Sequence, residues 1–219
     1  MSVQNDKTIE AYQIAAKNYL NSSKIVALAY KESATKAKKE LHSFIKKTFK
    51  NVPKGSKVLE IGAADGEISK YIQELGYEVT ASDIADDFLN AIKENGLVPI
   101  RFNLLKDKFN DKYQAIFCWR VFVHFTKEDA LKALNKSYDA LNNNGLFILS
   151  IINRECKNID NEWVDFPDEY HLGIDRYFNY YSKNDFDEIV SKTKFKILNF
   201  YNNTAENGIK WLVYVLEKK

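Results

Sequence analysis

The run Val58-Leu59-Glu60-Ile61, closed by Gly62-Ala63-Ala64-Asp65-Gly66, leaves a chain few ways to fold. An apolar run of strand length breaks into a turn of small residues and resumes at Glu67 with a helical pattern. That order predicts strand, tight turn, helix. Gly62 and Gly66 let the backbone turn sharply and allow a ligand to approach it closely. In open α/β sheets such ligands sit at the carboxyl ends of the strands, where the strand order reverses.

The rest of the sequence repeats the alternation. Strands are expected over 57–61, 78–82, 98–103, 113–119, 146–152, 195–202 and 210–217, with helices near 66–75, 86–95, 127–141 and 183–192. This predicts βαβ units and a mainly parallel sheet. Residues 7–50 read as helical with a break near Asn21 to Ser23, and Pro53 and Gly55 punctuate the chain before the first strand. Thr126 and Ser182 sit where helix N-caps are wanted, and Asn144-Gly145 supplies a helix stop and turn. The expected organisation is a helical cap over 1–52 and an α/β domain over 53–219. The aromatic-rich stretch 153–181 interrupts the alternation as a substrate lid or, alternatively, as packing over the sheet edge.

Charge narrows the partners. With Lys+Arg 32 against Asp+Glu 30, the chain carries a net +2 over 219 residues, which gives no electrostatic reason to expect nucleic acid. Lysines 36, 38, 39, 46, 47 and 50 read as the solvated face of a helix. Cys118 and Cys156 lack metal or redox spacing, no stretch reads as a signal peptide, and no apolar run reaches membrane-span length. A cytoplasmic setting is expected, with no membrane partner. Oligomeric state is open.

The turn discriminates between cofactors. A dinucleotide fingerprint counted from Gly62 needs glycines at positions 64 and 67, which hold Ala64 and Glu67. Glu60, Asp65 and Glu67 crowd a pyrophosphate, whereas S-adenosylmethionine has no phosphate and carries cationic sulfonium and ammonium groups. Asp83 follows the next strand at the distance where a carboxylate accepts ribose hydroxyls.

On these residues Val58–Ile68 resembles motif I of the class I S-adenosylmethionine-dependent methyltransferases, and Asp83 matches their ribose-binding acid. Arg101-Phe102-Asn103-Leu104-Leu105 resembles the family's adenine-contacting segment, with Asn103 where an Asp is frequent. The resemblance implies a Rossmann-like, seven-stranded, mainly parallel sheet with the last strand antiparallel, helices on both faces and an N-terminal helical cap. It implies a donor site of Glu60, Gly62, Ala63, Asp65, Gly66, Asp83, Ile84, Asn103 and Leu104, with Cys118 beside it. Tyr12 and Tyr19 match an N-terminal Tyr-x-x-x-Ala-x-x-Tyr pattern whose helix closes over the donor; at helical spacing they read equally as core contacts.

Transfer is expected to be in-line and metal-independent, since His42, His124 and His171 are scattered without ligand spacing. His124, just past the fourth strand, is the candidate general base or else a packed histidine at a helix start. Arg120 is either an anion anchor for the acceptor or the partner of Asp65 or Glu67. Trp119, His171, Arg176, Tyr180 and Tyr181 complete the expected acceptor side. The acceptor is expected to be a small polar metabolite methylated on oxygen, such as a sugar, nucleotide-sugar or glycan precursor. The alternatives are a small-molecule N-methyltransferase, a nicotinamide-dependent oxidoreductase and a non-catalytic binding module.

Overall fold

The computed structural model describes residues 2–165, 174–205 and 208–219. Two helices come first, α1 (Val3–Ala29) and α2 (Lys31–Thr48). The break expected near Asn21 falls instead at Tyr30, whose φ of −115° and ψ of 47° leave the helical region. Asn21, Ser22 and Ser23 are mediocre helix formers, but no glycine or proline stands there to stop the turn.

The sheet uses β1 (Lys57–Ile61), β2 (Glu78–Asp83), β3 (Pro99–Arg101), β4 (Tyr113–Cys118) and β5 (Leu141–Asn153). To these it adds β6 (Asn161–Val164), β7 (Arg176–Tyr181), β8 (Phe195–Thr204) and β9 (Lys210–Lys218). Helices α3 (Glu67–Glu74), α4 (Asp86–Glu94), α5 (Lys127–Ala140) and α6 (Lys183–Ser191) connect them. Seven strands run in the order β3-β2-β1-β4-β5-β9-β8, parallel except for β9, which pairs antiparallel with both β5 and β8. This is the expected α/β architecture.

The count of seven is corrected to nine, because the stretch expected as a lid supplies β6 and β7. Ile152 pairs with Trp211 of β9 and also with Tyr180 of β7. A strand residue has one partner on each edge, so β7 occupies the edge that β4 vacates after Cys118. The β6–β7 hairpin therefore overhangs the carboxyl ends of β1 and β4.

Other local departures have physical causes. β5 begins at Leu141 rather than 146, and the Asn144-Gly145 turn becomes a bulge in its pairing with β4, with Asn144 at φ 58°. Ser182 and Asp185 form a full capping box. Thr126 caps α5 by accepting from Asp129 N, but the Asp129 carboxylate turns away to hold Ser2. Two apolar layers flank the sheet, one around Phe122, Leu134, Phe147 and Phe186 under α5 and α6, the other around Ile45, Phe49, Ile72 and Phe117 under α2 and α3. Among the described residues no helix is long and apolar enough to cross a membrane.

Candidate active site

The turn after β1 is built by backbone constraint. Gly62, Ala64 and Gly66 have φ of 75°, 50° and 80°, and Gly62 N and Ala63 N both donate to Ser82 O on β2 at 2.9 Å. A Cβ on Gly62 would lie 2.4 Å from Val121 Cγ2 and one on Gly66 3.2 Å from Leu97 Cδ1, so both glycines are required by φ and by space. Asp65 Oδ1 accepts from Glu67 N at the start of α3.

Two buried carboxylates flank this turn. Glu60 accepts from Ser69 Oγ at 2.5 Å, and burial, reinforced by Asp65 and Asp83, pushes it up to about 8. Asp83 accepts from Ala64 N at 2.9 Å and Ile84 N at 2.6 Å, and burial raises it too, against those backbone bonds and the Arg101 charge. Two acids raised together at the carboxyl ends of adjacent strands make a cradle for positive charge and for hydroxyl donors.

Helix α1 closes over the turn. Ala16 packs with Ala85 and Phe88, with Tyr12, Tyr19, Leu20 and Ala64 against them. Gln13 Nε2 donates to Ile84 O at 2.6 Å. The Tyr12 and Tyr19 rings meet edge-on at 6.3 Å, and each also touches Phe88. Both readings of the tyrosines thus meet in one geometry, since they pack at helical spacing and do so over the turn.

His124 lies in the short 3-10 turn Phe122–His124 that follows β4. Its Nδ1 is 2.7 Å from Tyr177 O, which can only accept, so Nδ1 carries the proton. Nε2 is then bare and accepts from Tyr12 Oη at 3.0 Å. Arg176 Nη1 donates to the same Tyr12 oxygen at 3.3 Å, and its guanidinium lies over Phe178 and Tyr12. Burial, with help from Arg176, takes His124 down to about 4 and keeps it neutral; burial pushes Tyr12 up to about 12.

Other expected site residues are taken up by packing or by hydrogen bonds of their own. Cys118 is wholly buried in the core, which raises its thiol well above the ordinary range, and lines no surface. Trp119 stacks on Phe117 at 5.4 Å and touches Phe44, on the α2 side of the sheet. Tyr181 is core, donating to Phe125 O at 2.8 Å, while Tyr180 points to the opposite face and bonds Glu162. Arg176 is buried and ties α1 to β7. Asn103 Oδ1, the atom expected to meet adenine, accepts from Leu105 N and Lys106 N, and Leu104 beside it is buried. His171 lies outside the described residues. Sequence reasoning missed Trp211, Phe178 and Glu162: the β5–β9 pairing sets Trp211 opposite Ile152, and the β6–β7 pairing sets Glu162 opposite Phe178, with no local signal marking either.

A family model described as a methyltransferase domain matches residues 33–199, well over half of the chain. The chain belongs to this methyltransferase family. Methyl transfer is therefore its chemistry, and the nicotinamide reading is set aside. No curated protein matches the methyltransferase. Solved structures similar to it include an S-adenosylmethionine-dependent methyltransferase from Clostridium acetobutylicum, 15% identical with TM-score 0.68, covering 91% of this chain and 98% of that one. A protein from Pyrococcus horikoshii is 19% identical with TM-score 0.67, covering 85% and 92%. Magnesium protoporphyrin IX methyltransferase from Synechocystis, solved with its methyl donor bound, is 13% identical with TM-score 0.63, covering 85% and 80%. At these identities the likeness is one of fold.

Proposed function

We propose that the methyltransferase transfers a methyl group to a hydroxyl of a small polar metabolite, a sugar or related glycan precursor, at the carboxyl ends of β1, β2 and β4. The observation that carries the donor half is the pair of buried acids, Glu60 and Asp83, on either side of the Gly62 turn. The residues fit S-adenosylmethionine: buried carboxylates want a cation, and the positive-φ turn between them exposes backbone for close approach. Bound there, the donor supplies a methyl group already activated on a sulfonium.

The chain then has to bind, orient and exclude water. Asp83 is fixed by backbone donors and retains lone-pair capacity for ribose hydroxyls. Glu60 balances the ammonium or sulfonium charge, with Asp65 nearby. Gly62, Ala63, Gly66 and Ile84 shape the backbone wall, Leu104 and Asn103 border the adenine side, and Tyr12 and Tyr19 on α1 form the lid. His124 takes the acceptor proton at Nε2, the atom Tyr12 covers in the closed arrangement. Transfer needs no metal in this reading, which rests on the absence of ligand spacing in the sequence.

Calorimetric titration with S-adenosylhomocysteine tests it, with NADH run alongside and Asp83→Ala as control. Saturable binding that weakens at least tenfold in the variant is expected. Equal binding by both proteins removes Asp83 from the donor site. His124→Ala that keeps most of kcat removes the base.

A further inference from the structure

We propose that the acceptor carries an anionic oxyacid group, a carboxylate or a phosphate, which seats on Arg120 above the Trp211 indole. This deepens the methyl-transfer reading of the site and rests on it.

Arg120 adopts φ 61°, a conformation that costs an L-residue with a long side chain about 1–2 kcal/mol. Its N–H donates to the buried Ser150 Oγ at 2.8 Å, which holds the turn in place. Glycine or asparagine would adopt this backbone with less strain, and arginine stands here at that cost. Strain of this kind collects where a side chain is aimed at a ligand.

The expected ion pair with Asp65 or Glu67 is not the arrangement found. Glu67 pairs with Lys38, and Asp65 Oδ1 holds the start of α3. Arg101 and Arg154 have carboxylate partners and Arg176 is buried against Tyr12, whereas no carboxylate among the described residues pairs with Arg120. Its guanidinium lies 4.8 Å from the Trp211 ring centroid and the residue is exposed. Held on an indole face, a guanidinium keeps its N–H edge in plane and outward, the geometry that grips two oxygens of one oxyacid.

The surroundings continue into the reacting centre. Tyr180, Ile152 and Trp211 are direct cross-strand partners, so they share one face in a row. Val123 and Phe178 complete this apolar cluster, and the Phe178 ring meets His124 edge-on at 4.7 Å. Ile152, Tyr180 and Val123 are buried and form the floor, so an acceptor anchored by its anion on Arg120 lies against the partly exposed Trp211 and Phe178 and presents its nucleophile toward His124. Glu162, on the Tyr180 hydroxyl, disfavours a second anion at the far end.

The test uses the full chain saturated with S-adenosylhomocysteine and titrated with phenyl phosphate or benzoate, at ionic strength held constant with sodium chloride. Indole fluorescence reports occupancy. Saturable quenching by at least one probe is expected, with affinity lost tenfold or more in Arg120→Gln. Stronger binding of phenyl phosphate assigns a phosphorylated acceptor, and stronger binding of benzoate a carboxylated one. Arg120→Gly guards against misfolding, since glycine relieves the φ strain; it is expected to match or exceed the wild-type Tm while losing the probe. Equal probe binding by wild type and both Arg120 variants overturns the proposal, as does no probe binding by a wild type that binds S-adenosylhomocysteine. Failure of the wild type to bind S-adenosylhomocysteine strikes instead at the donor site beneath it.

Discussion

Tyr12 on the first helix and His124 after the fourth strand share one hydrogen bond, 3.0 Å long, across 112 residues of sequence. Because Tyr177 O fixes the proton on Nδ1, the phenol must donate to Nε2. Helix α1 and the candidate base are therefore tied together, and in the proposed reaction the Tyr12 phenol has to leave Nε2 before an acceptor hydroxyl takes its place.

That arrangement makes the tautomer a measurable quantity. Nitrogen-15 NMR of the imidazoles is expected to show His124 with Nδ1 protonated and Nε2 bare. In Tyr12→Phe the tautomer is expected to persist, held by the carbonyl, while stability drops by about 1 kcal/mol for the lost bond. An Nε2-protonated His124 in the wild type would sink the assignment.

His124 also sets a pH dependence. Its folded value of about 4 lies below the unfolded 6.5, so the unfolded chain binds the proton more readily between those limits. Stability attributable to this residue is intact above pH 6.5 and declines as pH falls toward 4, by about 2 kcal/mol at pH 5. Urea midpoints at pH 7 and pH 5 check this. His124→Gln is expected to flatten the difference, and an unchanged slope in that variant counts against it.

Glu60 has the opposite sign. Raised to about 8, it is protonated in the free enzyme at pH 7, and a cationic donor favours its ionised form. Binding of S-adenosylmethionine at pH 7 is expected to release close to one proton, seen as a binding enthalpy that tracks the ionisation enthalpy of the buffer. The effect is expected to fade by pH 9 and to vanish in Glu60→Gln. A buffer-independent enthalpy at pH 7 argues that Glu60 does not meet the donor's charge.

Gly62→Ala places a methyl group 2.4 Å from Val121 Cγ2 in a left-handed backbone. A loss of roughly 2–4 kcal/mol is expected from denaturant unfolding, combining backbone strain and overpacking. Adding Val121→Ala is expected to recover the steric part and leave the strain. If the double variant is no more stable than Gly62→Ala, the contact is not what excludes a side chain there.

The Gly62 turn and its flanking acids were legible in the sequence because their information is local. Glu60, Gly62, Gly66 and Asp83 lie within one β-α-β unit, and their spacing relative to strand ends dictates what they face. The proposed acceptor side is assembled over long range. Ile152 brings Tyr180 and Trp211 together through sheet pairing that no short window contains, and β7 joins β5 through two residue pairs only. Tyr180 and Tyr181 show the limit well: adjacency guarantees opposite faces, but only the pairing says which one is core. The helix break at Tyr30 was missed for a simpler reason, since neither glycine nor proline marks it.

The thirteen residues of β5 outrun the six of β4, and everything on the acceptor side hangs from that excess length. In mechanical language β5 is a beam clamped between β4 and β9, and the β6–β7 hairpin is a cantilever at its free end. Loads placed on the overhang reach the clamped section through the pairings of Ile152 with Tyr180 and Asn153 with Tyr181, and reach α1 and the turn after β4 through Arg176 and Tyr177. The cantilever is thereby braced at its tip by the first helix, so a push on the hairpin is transmitted to the turn that α1 covers.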